Sequence, residues 1–222
     1  MTLLKEELFT ENEIIDPNKV IEFLDGRLKS VKFMSSEDLI LILAEMLPTK
    51  SGIKVSYRRS KALVDCFGIN GYFDSEVKKD IEIEVCCSSY KKKIPINAKF
   101  KKLLIHDVAD TLCHESIHRK QFKLRGKDSS YDGSGVPERD YYLDPDEMFA
   151  YSVNIAHNFY RMYGNRAVDQ LNDIDSAVKK DCYLADYYYW FYNGQPFRKL
   201  LKMITQNLEA ISEGKVCHRS LL

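Results

Sequence analysis

The stretch "TLCHESIHRKQF", residues 111–122, places His114 and His118 four residues apart with Glu115 directly after the first. On an α-helix that spacing is about 400°, so both imidazoles leave one face about one turn apart. Two nitrogens presented in this way can reach one Zn²⁺, at roughly 2.0–2.1 Å each. Glu115 lies about 100° around the helix from His114. Its carboxylate therefore points beside a metal, where it can take a proton from water without filling a coordination position. In a chain of this composition the pattern arises by chance on the order of 0.01 times, and its context has to support it. The competing reading is a helix that carries surface histidines.

A catalytic zinc site takes three protein ligands and keeps a fourth position for water. The best third candidate lies in "YYLDPDEMFAYSVNIAHNF", residues 141–159. Asp144 suits a helix N-cap with Pro145 in the first turn, which puts Glu147 near the helix start. The same Asp-x-x-Glu spacing also fits a capping box, in which Glu147 would only bond a backbone N–H. Asp144 and Asp146 are rival ligands. The expected site is one Zn²⁺ per chain on His114, His118 and Glu147, with Glu115 as the general base.

"HESIH" followed by "EMFAY" resembles the gluzincin branch of the zincin metallopeptidases, in which the metal is completed by a glutamate on a following helix in a Glu-x-x-Ala-Asp-like context. Glu147 and Ala150 match that context. The form "LDPDE…AY" also looks like small metallopeptidases encoded by bacteriophages. The resemblance covers about residues 80–160. It departs at Tyr151, where many relatives have an aspartate that orients the first histidine. Asp110, one turn before His114, is the candidate substitute; its alternative role is a solvated helix charge. The resemblance implies a minimal zincin-like fold and a peptidase acting through metal-activated water. It also implies an edge strand beside the metal helix that pairs with the substrate backbone. "DIEIEVCC", residues 80–87, is the nearest strand before that helix, although its charged alternate positions also suit an ordinary half-exposed strand.

The surrounding elements are legible from periodicity. Residues 17–30 and 36–47 read as helices, the second with a capping signal at Ser35 or Ser36 ahead of Glu37 and Asp38. Three β-rich runs follow at 52–58, 62–74 and 80–87, predicting a small, mostly antiparallel sheet. Residues 97–125 return to helical spacing, with Phe100, Leu104, Val108 and Leu112 at steps of four. "RGKDSSYDGSGVPERD", residues 125–140, reads as a long surface loop of the kind that is often functional. Helices are expected over 144–163, 165–180, 182–193 and 196–212.

The class is therefore α+β: a sheet, an active-site helix and a helical C-terminal half. No linker stands out between 88 and 97, which favours a single domain over 1–222. Its parts are a helical segment to residue 50, the sheet and metal helix over 51–125, a loop over 126–143, and helices over 144–222.

Of the 222 residues, 45% are apolar and 30% charged, a globular balance. Lysine plus arginine (33) equals aspartate plus glutamate (33), so charge gives no reason to expect nucleic acid or an anionic membrane as partner. The N-terminal residues lack the basic and apolar regions of a signal peptide. The longest apolar stretch, "LILILAEML" at 39–47, is too short to span a bilayer. These features predict a cytoplasmic protein (in the host cytoplasm for a phage-encoded chain). The six cysteines form no CxxC pair, as expected of reduced thiols.

The candidate oxyanion donors are Tyr141, Tyr142, Tyr151 and His157, each with packing as its alternative role. His106 lies about 12 Å along the helix from His114, too far to share a metal. The aromatic run over 183–192 cannot bury every ring on one helix. It predicts exposed aromatic area, and with it a second function: a non-catalytic binding or assembly protein working through that surface.

Overall fold

A computed structural model of the chain describes residues 14–47, 52–61, 63, 67–74, 80–125 and 137–218. The chain divides into two compact units, Met1–Lys120 and Gln121–Leu222. The fold is α+β, with small sheets in the first unit and helices throughout the second.

The first unit opens with α1 (Pro17–Leu28), capped by Asp16, whose side chain accepts from the Asn18 amide. Val20, Leu24 and Leu28 recur at steps of four and are buried. After β1 (Phe33–Met34) comes α2 (Ser36–Met46). Here the capping signal forms a complete box. The Asp38 amide donates to Ser35 Oγ at 3.1 Å, and the Ser35 amide donates to Asp38 Oδ2 at 2.9 Å. Leu39, Leu43 and Met46 form the buried stripe of α2.

Next come β2 (Ile53–Ser60), β3 (Gly68–Asp74), β4 (Asp80–Ser88), β5 (Ile94–Pro95) and α3 (Ala98–Arg125). Strands β1 and β5 form a two-residue antiparallel pair. The larger sheet has the order β2-β4-β3. Its β3–β4 ladder is antiparallel, from Gly68↔Cys86 to Asp74↔Asp80. Its β2–β4 ladder is parallel, from Ile53↔Ile81 to Ser60↔Ser88.

The run DIEIEVCC is thus the central strand, which corrects its assignment as the edge beside the metal helix. Ile81, Ile83, Val85 and Cys87 alternate onto the buried face. Glu82 and Glu84 alternate onto the opposite face, where Arg58 Nε and Asn70 Nδ2 reach Glu84 at 3.2 and 3.1 Å. The charges that suggested an edge are accommodated by polar neighbours on both flanking strands. The edge strands of this sheet are β2 and β3.

In the second unit, α4 (Glu138–Tyr141) is a single turn. Most of the expected 125–140 loop, residues 126–136, lies outside the described residues. α5 (Pro145–Tyr163) follows, capped by Asp144. The helix expected over 165–180 is instead a 3₁₀ turn (Gly164–Arg166), α6 (Ala167–Gln170) and α7 (Ile174–Ala177). The break has a local cause: Asp173 turns its side chain onto the Ser176 amide at 3.2 Å and starts a new helix.

α8 (Cys182–Phe191) and α9 (Gln195–Ser212) complete the unit. Of the described cysteines Cys182 is exposed, and Cys86, Cys87, Cys113 and Cys217 are buried. Phe149, Val153, Ala156 and Phe159 of α5 are buried, as are Leu200, Ile204, Leu208 and Ile211 of α9. A buried polar bond joins the two helices: Asn207 Nδ2 donates to Ser152 Oγ at 2.9 Å. Among the described residues no helix is long and apolar enough to cross a membrane.

Candidate metal centre

Helix α3 starts at Asn97, whose Oδ1 accepts from the Phe100 amide at 2.8 Å. Leu104, Val108 and Leu112 are buried, and Phe100 packs on Phe67 with ring centroids 6.1 Å apart. From residue 108 to residue 122 the helix has no exposed residue. Ala109, Asp110, Cys113, His114, Glu115, Ser116 and Ile117 are all buried. A helix covered all round should be apolar all round, yet this one carries charged and titratable groups under cover. Burying an ionised group costs several kcal/mol unless it is partnered. Buried titratable groups gathered in the central turns make that part of the helix the candidate site.

The two histidines meet as their spacing requires. His118 Nε2 lies 3.0 Å from His114 Nε2, with ring centroids 4.7 Å apart in an edge arrangement. Two nitrogens bound to one tetrahedral ion at about 2.0–2.1 Å would lie roughly 3.3 Å apart. The pair is therefore spaced for one ion with almost no adjustment. His114 is buried and His118 half-buried, which rules out the reading of solvent-facing surface histidines.

Glu115 is held against the sheet. A Cβ placed on Gly71 of β3 would lie 2.7 Å from Glu115 Cγ, 2.8 Å from Glu115 Oε1 and 2.5 Å from Thr111 Cγ2. Only glycine allows the strand to come this close to the helix. The strand beside α3 at Glu115 is therefore the edge strand β3. Ser116 faces elsewhere: its Oγ accepts from the Ile15 amide at 2.9 Å and donates to the Cys113 carbonyl at 2.7 Å, tying the N-terminal segment to α3.

Asp110 is 7% exposed, so it is no solvated helix charge. It lies one turn before His114 on the same face, where a carboxylate suits the role of orienting an imidazole.

In the second unit, Glu147 occupies the first turn of α5 and is half-buried. The cap of that helix is Asp144, whose Oδ1 accepts from the amides of Asp146 and Glu147 at 2.8 and 3.3 Å. The Asp144 amide donates to the Tyr141 carbonyl at 3.1 Å. The Glu147 carboxylate instead receives the Tyr141 hydroxyl, with Oε2 at 2.6 Å. Asp146, the other rival, forms an ion pair with Arg125 at the end of α3. Both aspartates thus have structural work that Glu147 does not share.

Around Glu147 the tyrosines form a cluster. Tyr141 and Tyr151 hydroxyls are 3.5 Å apart, and the Tyr142 ring packs on Tyr151 and Tyr187 at 5.5 and 4.9 Å between centroids. Burial and the neighbouring Glu147 carboxylate push the Tyr141 hydroxyl above the usual tyrosine range, so it stays a donor. Among the candidate oxyanion donors, His157 Nε2 bonds the Val216 carbonyl at 2.9 Å and Tyr142 donates to Asp186 at 3.0 Å. Those two are thereby tied to the C-terminal segment and to α8. The Tyr141–Glu147 bond was not legible in the sequence: the two are six positions apart across a helix boundary, and no periodicity links them.

No family model, curated protein or solved structure matches this chain.

Proposed function

We propose that the chain is a zinc-dependent metallopeptidase of the gluzincin type, working in the cytoplasm. The observation that carries this reading is the His114–His118 nitrogen pair at 3.0 Å with Glu115 buried beside it against Gly71. A structural metal site has no need of a base next to its ligands, whereas hydrolysis does. The proposed third ligand is Glu147, in the first turn of α5. The donor set of two imidazoles and one carboxylate suits Zn²⁺ and leaves a position for water. Zinc held there would supply acidity to water and polarise the scissile carbonyl.

Each remaining step belongs to the chain's own side chains. Glu115 takes the proton from the attacking water and passes it to the leaving amine. Asp110 orients His114 through its other ring nitrogen, the role that an aspartate at the position of Tyr151 has in many gluzincins. The edge of β3 supplies backbone groups with which an extended peptide can pair.

The test is digestion of a broad peptide pool by wild type, by Glu115→Gln and by wild type stripped with a chelator. Cleavage by the zinc-loaded wild type alone supports the reading. Cleavage that continues equally in Glu115→Gln defeats the assignment of the base.

One observation favours a second reading. Tyr189 and Tyr192 of the α8 region are 77% and 56% exposed, a surface that suits a protein partner. Stoichiometric zinc with no cleavage of any peptide in the pool would move the assignment to a non-catalytic binding or assembly protein.

A further inference from the structure

The Tyr141 hydroxyl bonds a residue that the function proposed above makes a metal ligand, and the inference rests on that reading. We propose that Tyr141 is the positioning residue for Glu147: its hydroxyl holds Oε2 and fixes the plane in which the carboxylate meets the metal.

Three observations support this assignment. The first is the bond itself. At 2.6 Å it lies in the short range of an O–H donated to a charged carboxylate, about 2.5–2.7 Å. The second is the placement of the donor. Tyr141 ends the one-turn helix α4, and the Tyr141 carbonyl accepts from the Asp144 amide at 3.1 Å. Asp144 in turn caps the helix that carries Glu147. Backbone and side chain of Tyr141 therefore act on the same short segment, one setting the helix start and the other the carboxylate. The third is the packing of its ring, with Tyr142 and Tyr151 centroids at 5.7 and 6.3 Å. A ring wedged in this way holds its hydroxyl in one place. Tyr151 lies one turn after Glu147 on α5, and its hydroxyl, 3.5 Å from that of Tyr141, extends the chain of donors.

A carboxylate on the first turn of a helix otherwise has free rotation about its side-chain bonds. As a sole anionic ligand it would lose that freedom on binding the ion, which weakens affinity. A donor that fixes one oxygen beforehand removes part of that cost. This role differs from substrate contact: Tyr141 acts through Glu147.

The experiment compares wild type, Tyr141→Phe, Tyr142→Phe and Glu147→Ala as full chains. Zn²⁺ affinity is measured by competition with a chromophoric chelator, and the visible spectrum is recorded with Co²⁺ in place of zinc. Tyr141→Phe keeps the ring and removes only the hydroxyl. It is expected to weaken Zn²⁺ binding about 10–100-fold and to change the Co²⁺ spectrum, with the thermal midpoint of the metal-free protein unchanged. Tyr142→Phe, which loses a hydroxyl bonded to Asp186 instead, is the control and is expected to bind like wild type.

Equal affinity and spectrum in wild type and Tyr141→Phe, with binding weakened in Glu147→Ala, would overturn the positioning role and leave the ligand assignment standing. Equal weakening in both tyrosine variants would also overturn it, since the loss would then be general loosening of the cluster. Wild-type binding retained in Glu147→Ala would overturn Glu147 as a ligand, and the inference with it. Absence of metal binding in wild type would remove the function proposed above as well.

Discussion

Helices α2 and α5 start from the same local arrangement: a polar N-cap with a carboxylate three residues later. In α2 the arrangement closes on itself. Ser35 and Asp38 exchange side-chain bonds to each other's backbone amides at 3.1 and 2.9 Å, and neither group is left for another purpose. In α5 the exchange is one-sided. Asp144 caps two amides alone, and the carboxylate of Glu147 turns to the Tyr141 hydroxyl. The surroundings of the two carboxylates differ accordingly: Asp38 is exposed, whereas Glu147 is half-buried beside a tyrosine cluster. A carboxylate in a first turn is stabilised by the helix dipole in either case. One carboxylate therefore closes its own cap, while the other is bonded to a side chain outside its helix, as the proposed ligand role requires.

The same contrast sets the expected effects of substitution. The largest is at Glu115, a buried carboxylate with no capping role. Glu115→Gln keeps shape and hydrogen bonding but accepts no proton. Peptide cleavage should fall by about 10²–10⁴-fold with zinc content unchanged by elemental analysis.

Next is the direct opposition of the two first-turn acids. Glu147→Ala should weaken Zn²⁺ binding by more than the roughly 10–100-fold of a lost outer partner, with the thermal midpoint little changed. Asp38→Ala should leave zinc affinity as in wild type. A Glu147→Ala chain that binds zinc normally and loses only the stability of a cap, about 1 kcal/mol, would erase the difference between the two helices.

Gly71→Ala falls between binding and stability. Its Cβ would meet Glu115 Cγ at 2.7 Å and Thr111 Cγ2 at 2.5 Å. Over-packing of this kind costs about 1–3 kcal/mol, measured by chemical denaturation, and turns the base out of place. Zinc should still bind while cleavage drops.

The smallest effect concerns the capping box. Ser35→Ala should cost about 1 kcal/mol of stability and nothing in metal affinity. Backbone and side-chain bonds from Ser35 hold the Asp38 carboxyl below its ordinary value of 3.8. A depressed carboxylate contributes stability above its unfolded pKa and loses it as pH falls through the folded pKa. The stability gap between wild type and Asp38→Ala should thus be full at neutral pH and close below about pH 4.

The approach of His114 and His118 was legible because it follows from helical spacing, which a continuous helix from Ala98 to Arg125 preserves. The cap at Asp144 was legible for the same reason: Asp-Pro signals act within a few residues. Strand order was not. The alternation in DIEIEVCC reports two unlike faces, and a central strand between Arg58 and Asn70 satisfies it as well as an edge does. Strands β1 and β5 are two residues each, too short to show any period. The break at Asp173 was hidden because an aspartate inside a polar run reads equally well as a surface helix residue. The close approach at Gly71 had a signal, a glycine within a strand, but its target, Glu115, is 44 positions away in the chain.

The most direct measurement is zinc content. The full chain, purified without chelators, supplied with Zn²⁺ and desalted, should carry one zinc per chain by elemental analysis, and His114→Ala and His118→Ala should each carry far less. A wild-type chain with no stoichiometric zinc, or histidine variants that keep it, would contradict the account.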